Sequence, residues 1–129
     1  MTAPVSPGPI QVAIVDDDQC VRDSLVELIT SNGWGAVAYA TGRDFLQQVH
    51  EERPNCVILD LRLPDMSGLD VQAELVARGI VLPLILVSGA ARPHETRQAR
   101  TLGAAAVLSK PVDARLLLQH IERAVHPGT

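Results

Sequence analysis

The sequence predicts an α/β fold, a doubly wound parallel sheet made of about five βα units. Three observations lead there. Short apolar runs recur at residues 10–15, 36–39, 56–59, 84–87 and 105–108. Most are apolar on both faces, as strands are when helices cover both sides of a parallel sheet. Longer amphipathic segments separate them, and strand alternating with helix implies parallel pairing through crossovers.

Taken in order, residues 1–9 hold three prolines and a glycine and read as a disordered tail with little to pack. After the first run, Val21, Leu25, Leu28 and Ile29 keep the helical period. Phe45, Leu46 and Val49 make a second stripe, opened by Thr41 with Asp44 three residues on, an approximate capping box. Leu69, Ala73 and Val76 make a third. Residues 93–102 offer the weakest stripe, little beyond Ala99 and Leu102, and still read as a helix. Leu117, Ile121, Ala124 and Val125 make the last, with Asp113 placed to cap it. Gly33, Gly79 and Gly103 follow helical patterns, where the chain must often take positive φ, and Pro54 follows the second helix. One domain is expected over 10–126, with 127–129 a C-terminal tail or the start of a linker.

With 129 residues the chain can bury a core without disulfides or a structural metal. Hydrophobic residues at 47% and charged residues at 20% give a globular balance. Aromatic residues are 2%, namely Trp34, Tyr39 and Phe45, so the core must be aliphatic. A net charge of −4 argues against direct nucleic-acid binding by this chain and against a polybasic membrane patch. No apolar run approaches a membrane span, and residues 1–9 lack the basic start and apolar stretch of a signal peptide. Cys20 and Cys56 form no CxxC and read as free thiols of a cytoplasmic protein. His50, His94, His120 and His126 show no metal-ligand spacing.

In open parallel sheets, ligands sit beyond the carboxyl ends of the strands. The first strand ends in Asp16, Asp17 and Asp18. Adjacent carboxylates repel unless a cation or solvent compensates, and Asp18, or Asp17 in part, is suited to cap the next helix. The third strand ends in Asp60, the fourth in Ser88 followed by Gly89 and Ala90, the fifth in Ser109-Lys110-Pro111. If strands one and three are neighbours, Asp16, Asp17 and Asp60 converge, and such oxygens suit a hard ion such as Mg²⁺. Acids, a hydroxyl and an ammonium make chemical sense for phosphoryl transfer: a carboxylate can attack phosphorus, and a metal and a lysine offset the incoming negative charge.

The run Asp60-Leu61-Arg62-Leu63-Pro64-Asp65-Met66-Ser67-Gly68 resembles the DxRxPxMxG signature of two-component response regulator receiver domains. Asp16-Asp17, Ser88-Gly89 and Lys110-Pro111 stand at that family's other marked positions, and the likeness covers about residues 10–125. Residues 12–17 and the helix after them are most similar to receivers of the FixJ/NarL type. The resemblance implies a flavodoxin-like (βα)5 sheet with strand order 2-1-3-4-5. It implies that Asp60 is the phosphoacceptor, taking its phosphoryl group from the phosphohistidine of a sensor histidine kinase. Mg²⁺ would be held by Asp16, Asp17, Asp60 and the backbone carbonyl of Arg62. Lys110 would pair with the acceptor and then with the phosphoryl group. Ser88 would be the switch hydroxyl, and the Lys110–Pro111 bond would be cis. Such a protein catalyses its own phosphorylation and dephosphorylation, but is first a signalling protein.

One position departs from the family. Receivers usually carry Tyr or Phe three residues before the lysine, where this chain has Val107, so the coupled hydroxyl-and-ring rearrangement cannot run in its usual form. A phosphorylation-independent interaction module is therefore the alternative. A flavin- or nucleotide-binding domain would want a phosphate-cradling loop after strand one, which is acidic here. An aspartate-nucleophile phosphatase would want a second Asp where Arg62 stands. Residues 92–102, 105–108 and 116–124 are the expected output face, with a homodimer on phosphorylation. Arg62 and Ala90 are expected to flank the path of hydrolytic water. The ending 126–129 reads as a linker, leaning toward the amino-terminal part of a DNA-binding transcription regulator over a stand-alone receiver.

Overall fold

Side chains of successive strand residues point to opposite faces, and the first strand sorts the whole core by that rule. In the computed structural model, which describes residues 10–126, strand β1 (Gln11–Val15) turns Ala13 and Val15 to one face and Val12 and Ile14 to the other. The first layer also holds Phe45, Leu46 and Val49 of helix α2 (Gly42–Glu52), Val71 and Leu75 of α3 (Gly68–Ala77) and Ala99 of α4 (Pro93–Thr101). The second holds Ile29 of α1 (Gln19–Ser31) and Leu117 and Ile121 of α5 (Ala114–Val125). Two helices therefore cover one face and three the other. Each fully buried Ile, Leu or Phe adds roughly 1.5–3 kcal/mol of burial free energy against the chain entropy lost.

The remaining strands are β2 (Gly35–Tyr39), β3 (Cys56–Asp60), β4 (Leu84–Ser88) and β5 (Ala106–Ser109). All pairings are parallel, in the order β2-β1-β3-β4-β5, which is the expected doubly wound, flavodoxin-like (βα)5 arrangement. The central strands β3 and β4 are buried at every position, whereas the edge strands β2 and β5 are partly open. Strand limits differ from the sequence reading by one residue or so; β3 and β4 run on to include Asp60 and Ser88. The tail expected at 1–9 and the tail or linker expected at 127–129 lie outside the described residues.

The helix ends follow local chemistry. Asp18 accepts hydrogen bonds from the Cys20 and Val21 backbone N–H groups and so caps α1. Thr41 and Asp113 cap α2 and α5 in the same way. Gly33, Gly79 and Gly103 take φ of 84°, 70° and 101°, the left-handed conformation that glycine adopts at least cost.

Helix α3 corrects the sequence reading. Its buried residues include Leu69, Val71, Gln72 and Leu75, while Ala73 is exposed and Val76 is 57% exposed. Of the stripe Leu69, Ala73, Val76, only Leu69 faces the core, and the other two lie off it. Apolar residues lie on several faces of this helix and a glutamine occupies one core position, so periodicity alone picked the wrong phase. The buried face of α4 likewise includes a charged residue, Glu95, beside Ala99.

Candidate functional site

The register of the sheet brings the acids together. Val15 is paired with Leu59, so Asp16 and Asp60, one residue on, leave neighbouring strands side by side. Oxygens of Asp16, Asp17 and Asp60 all lie within 4.8 Å of one another. Asp16 and Asp60 are buried and Asp17 is exposed. Three hard carboxylate donors at the mouth of a crevice fit an oxygen-preferring divalent ion such as Mg²⁺, which keeps part of its water shell.

Lys110 enters from the β5–α5 connection. Its Nζ donates to Asp16 Oδ2 at 3.0 Å and to Asp60 Oδ2 at 3.1 Å. Its backbone N–H donates to the Ser88 carbonyl, which fixes the loop to β4. The Lys110–Pro111 peptide bond is cis, as the resemblance implied. Asp16 is held in turn: its Oδ1 accepts from the Asp18 N–H and its carbonyl from Arg22 Nη1.

The charges of this group shape one another. Burial pushes the Asp60 carboxyl above its ordinary pKa; bonds from the Arg62 N–H and Lys110 oppose that, and the Asp16 charge adds to it. Burial works against the Lys110 ammonium too, yet its bonds to Asp16 and Asp60 leave it above the ordinary lysine range. The result is a nucleophile-capable carboxylate beside a firmly charged cation. A cavity of about 530 Å³ runs from these groups under α1 and α5, walled by residues such as Ile14, Val21, Leu25 and Leu117, with Cys20 on its wall.

The β3–α3 loop frames the other side. Gly68 N–H donates to the Leu61 carbonyl at 2.8 Å. A Cβ on Gly68 would stand 2.6 Å from the Asp60 carbonyl oxygen, so only glycine lets α3 start this close to β3. Asp65 accepts from the Gly42 and Arg43 N–H groups and so ties the loop to the start of α2. These backbone bonds hold its carboxyl below the ordinary range although burial acts the other way. Asp65 was quoted in the sequence signature without a role, because its partners lie more than twenty residues away.

Ser88 is buried at the end of β4, and its Oγ accepts from the Ala90 N–H at 3.2 Å. Val107 is half-buried and packs against the core layer that contains Phe45. Arg62 lies outside the acid group: its guanidinium makes a forked pair with Glu95, at 2.7 and 2.9 Å, and donates to the Ala90 carbonyl at 3.3 Å. Its backbone N–H nevertheless donates to Asp60 Oδ1 at 3.1 Å. Glu95 escaped the sequence reading altogether, since a lone acid in a polar helix carries no signal of a partner 33 residues away.

Both cysteines are free, Cys20 exposed and Cys56 buried. Burial pushes the Cys56 thiol up to about 12, which leaves it unreactive at neutral pH. Among the described residues, no helix is long and apolar enough to cross a membrane.

The family model described as the response regulator receiver domain matches residues 12–122. Nodulation protein W of Bradyrhizobium diazoefficiens is 38% identical over 113 residues, covering 88% of this chain and 50% of that protein. The chain spans about half the length of the curated relatives it matches. Among solved structures, the CheY-like receiver domain from Methanospirillum hungatei superposes with a TM-score of 0.86 at 28% identity, covering 91% of this chain and 94% of that one. FixJ-N superposes with a TM-score of 0.84 at 31% identity, covering 93% and 96%.

Proposed function

The chain belongs to the response regulator receiver family, and from that premise we propose that Asp60 accepts a phosphoryl group from the phosphohistidine of a sensor histidine kinase. The observation that carries the proposal is the convergence of Asp16, Asp17 and Asp60 with Lys110 bonded across two of them. An Asp60 carboxylate oxygen forms the new O–P bond. The N–P bond of the donor breaks, its electron pair stays on the imidazole nitrogen, and that nitrogen takes a proton from solvent. Lys110 already touches the nucleophile, so it meets the arriving negative charge without reorganisation. Mg²⁺ would be held by Asp16, Asp17, Asp60 and the Arg62 carbonyl, and would supply neutralisation of phosphoryl charge.

Ser88 acts as the reporter of phosphorylation: it ends β4, beside the β3 strand that ends in Asp60, and its hydroxyl accepts from the Ala90 N–H in the turn toward α4. The shifted equilibrium concerns α4, β5 and α5, the face proposed for dimerisation or output. A DNA-binding output, in the manner of a transcription regulator, belongs to this proposal, as does a cytoplasmic location. The test is a phosphate-affinity gel after treatment with acetyl phosphate, with and without Mg²⁺. A retarded band that requires Mg²⁺ supports the reading; an unshifted band in both supports a phosphorylation-independent interaction module.

A further inference from the structure

Two charged side chains outside the acid crevice connect it to α4. Arg62 begins two residues from Asp60 and bonds it through its backbone N–H. Its guanidinium forks onto both oxygens of Glu95, in the first turn of α4. One of those oxygens, Oε1, also accepts from the Arg92 N–H, so the carboxylate is built into the start of the helix. Glu95 is 7% exposed, although it lies near the surface, while the Arg62 side chain is 52% exposed. The pair is therefore a fixed acid and a cation with room to move. Arg62 also reaches the Ala90 carbonyl, while Ser88 Oγ accepts from the Ala90 N–H. Ala90, in the β4–α4 turn, is thus held at both its N–H and its carbonyl.

We propose that Arg62 is a shared cation that clamps α4 through Glu95 while Asp60 is free and is drawn toward the phosphoryl group when Asp60 is modified, which releases α4. This rests on the phosphoacceptor reading of Asp60. A phosphoryl group adds negative charge beside a residue whose guanidinium already feels the Asp60 carboxylate. A cation cannot serve both anions with the same fork, so the equilibrium depends on which attracts it more strongly. The Val107 side chain has no polar atom and takes no part in this route. Glu95 is a positioning residue here, since it touches no reacting atom.

Hydrogen exchange of the α4 amides, with intact-mass readout of phosphorylation in the same samples, tests the proposal on the whole chain. The probe is acetyl phosphate with Mg²⁺. In the wild type, α4 exchange should rise several-fold when the phosphoryl mass is present. Glu95→Gln loses the charge that holds Arg62 but leaves Asp60 and its neighbours intact. It should gain the phosphoryl mass with α4 already fast and no further rise. Arg62→Lys keeps the charge without the fork and should keep a smaller rise. A wild-type-sized rise in Glu95→Gln, or a flat response in Arg62→Lys matching that of Glu95→Gln, overturns the clamp. Failure of the wild type to gain the mass overturns the phosphoacceptor reading itself.

Discussion

Lys110 and Asp60 are separated by fifty residues in the chain and by 3.1 Å at their charged tips. The ammonium also bridges Asp16, so one cation holds two buried carboxylates that would otherwise repel. Lys110 is thus a cornerstone of the crevice.

Lys110→Met should therefore destabilise the metal-free protein by about 1–2 kcal/mol at neutral pH, the figure for a broken ion pair discounted for its partial exposure. If Mg²⁺ binds the folded acids as proposed, and not the unfolded chain, it should restore much of the loss. The Lys110 contribution is full at neutral pH and is lost as pH rises through its raised pKa. Urea titrations with and without Mg²⁺ check this. A loss that Mg²⁺ leaves untouched would assign Lys110 to packing alone.

The pH dependence of Asp60 has the same sense but falls in the acid range, and at neutral pH it is a cost, not a gain. Burial raises its carboxyl pKa, so the ionised form costs stability at neutral pH, and the cost is relieved as pH falls through the folded value. Asp60→Asn should melt higher than wild type without divalent ions at neutral pH, with the gap closing in acid. Phosphoryl uptake should fail at a higher pH than an ordinary carboxylate would allow. Parallel melting and uptake profiles decide the matter.

Gln72 carries a different expectation. Its Oε1 has no hydrogen-bond partner, while its Nε2 donates to the Ala99 carbonyl. That carbonyl also accepts from the Ala104 N–H at 2.9 Å and stays satisfied without Gln72. Gln72→Leu should be neutral or stabilising by up to about 1 kcal/mol, because an orphaned buried acceptor is removed. A clear loss in thermal stability would mean that the α3–α4 bond outweighs it.

Gly68→Ala should cost about 1–3 kcal/mol, since the new methyl meets backbone atoms of Asp60 and Leu61 as well as Leu86 Cδ1, and the backbone cannot easily give way. The strain falls on Asp60, so uptake from acetyl phosphate should fall as well. A variant with wild-type melting and wild-type uptake would show that α3 can slide away freely.

Much of this was legible in the residues. The strand ends, the caps at Asp18, Thr41 and Asp113 and the positive-φ glycines depend on short-range chemistry, which sequence displays directly. The meeting of Asp16 with Asp60 required the strand order, which came from the resemblance and not from periodicity. Helix α3 was misphased because Val71, Gln72 and Leu75 form a core face with a polar member, while Ala73 and Val76 are apolar and exposed. The Arg62–Glu95 pair was invisible because a surface charge does not announce a partner across the fold.

The measurement closest to the central claim is the intact mass of the protein after treatment with acetyl phosphate and Mg²⁺, taken beside Asp60→Asn. The account predicts one added phosphoryl group in the wild type and none in the variant. Equal addition to both, or none to the wild type, would contradict it.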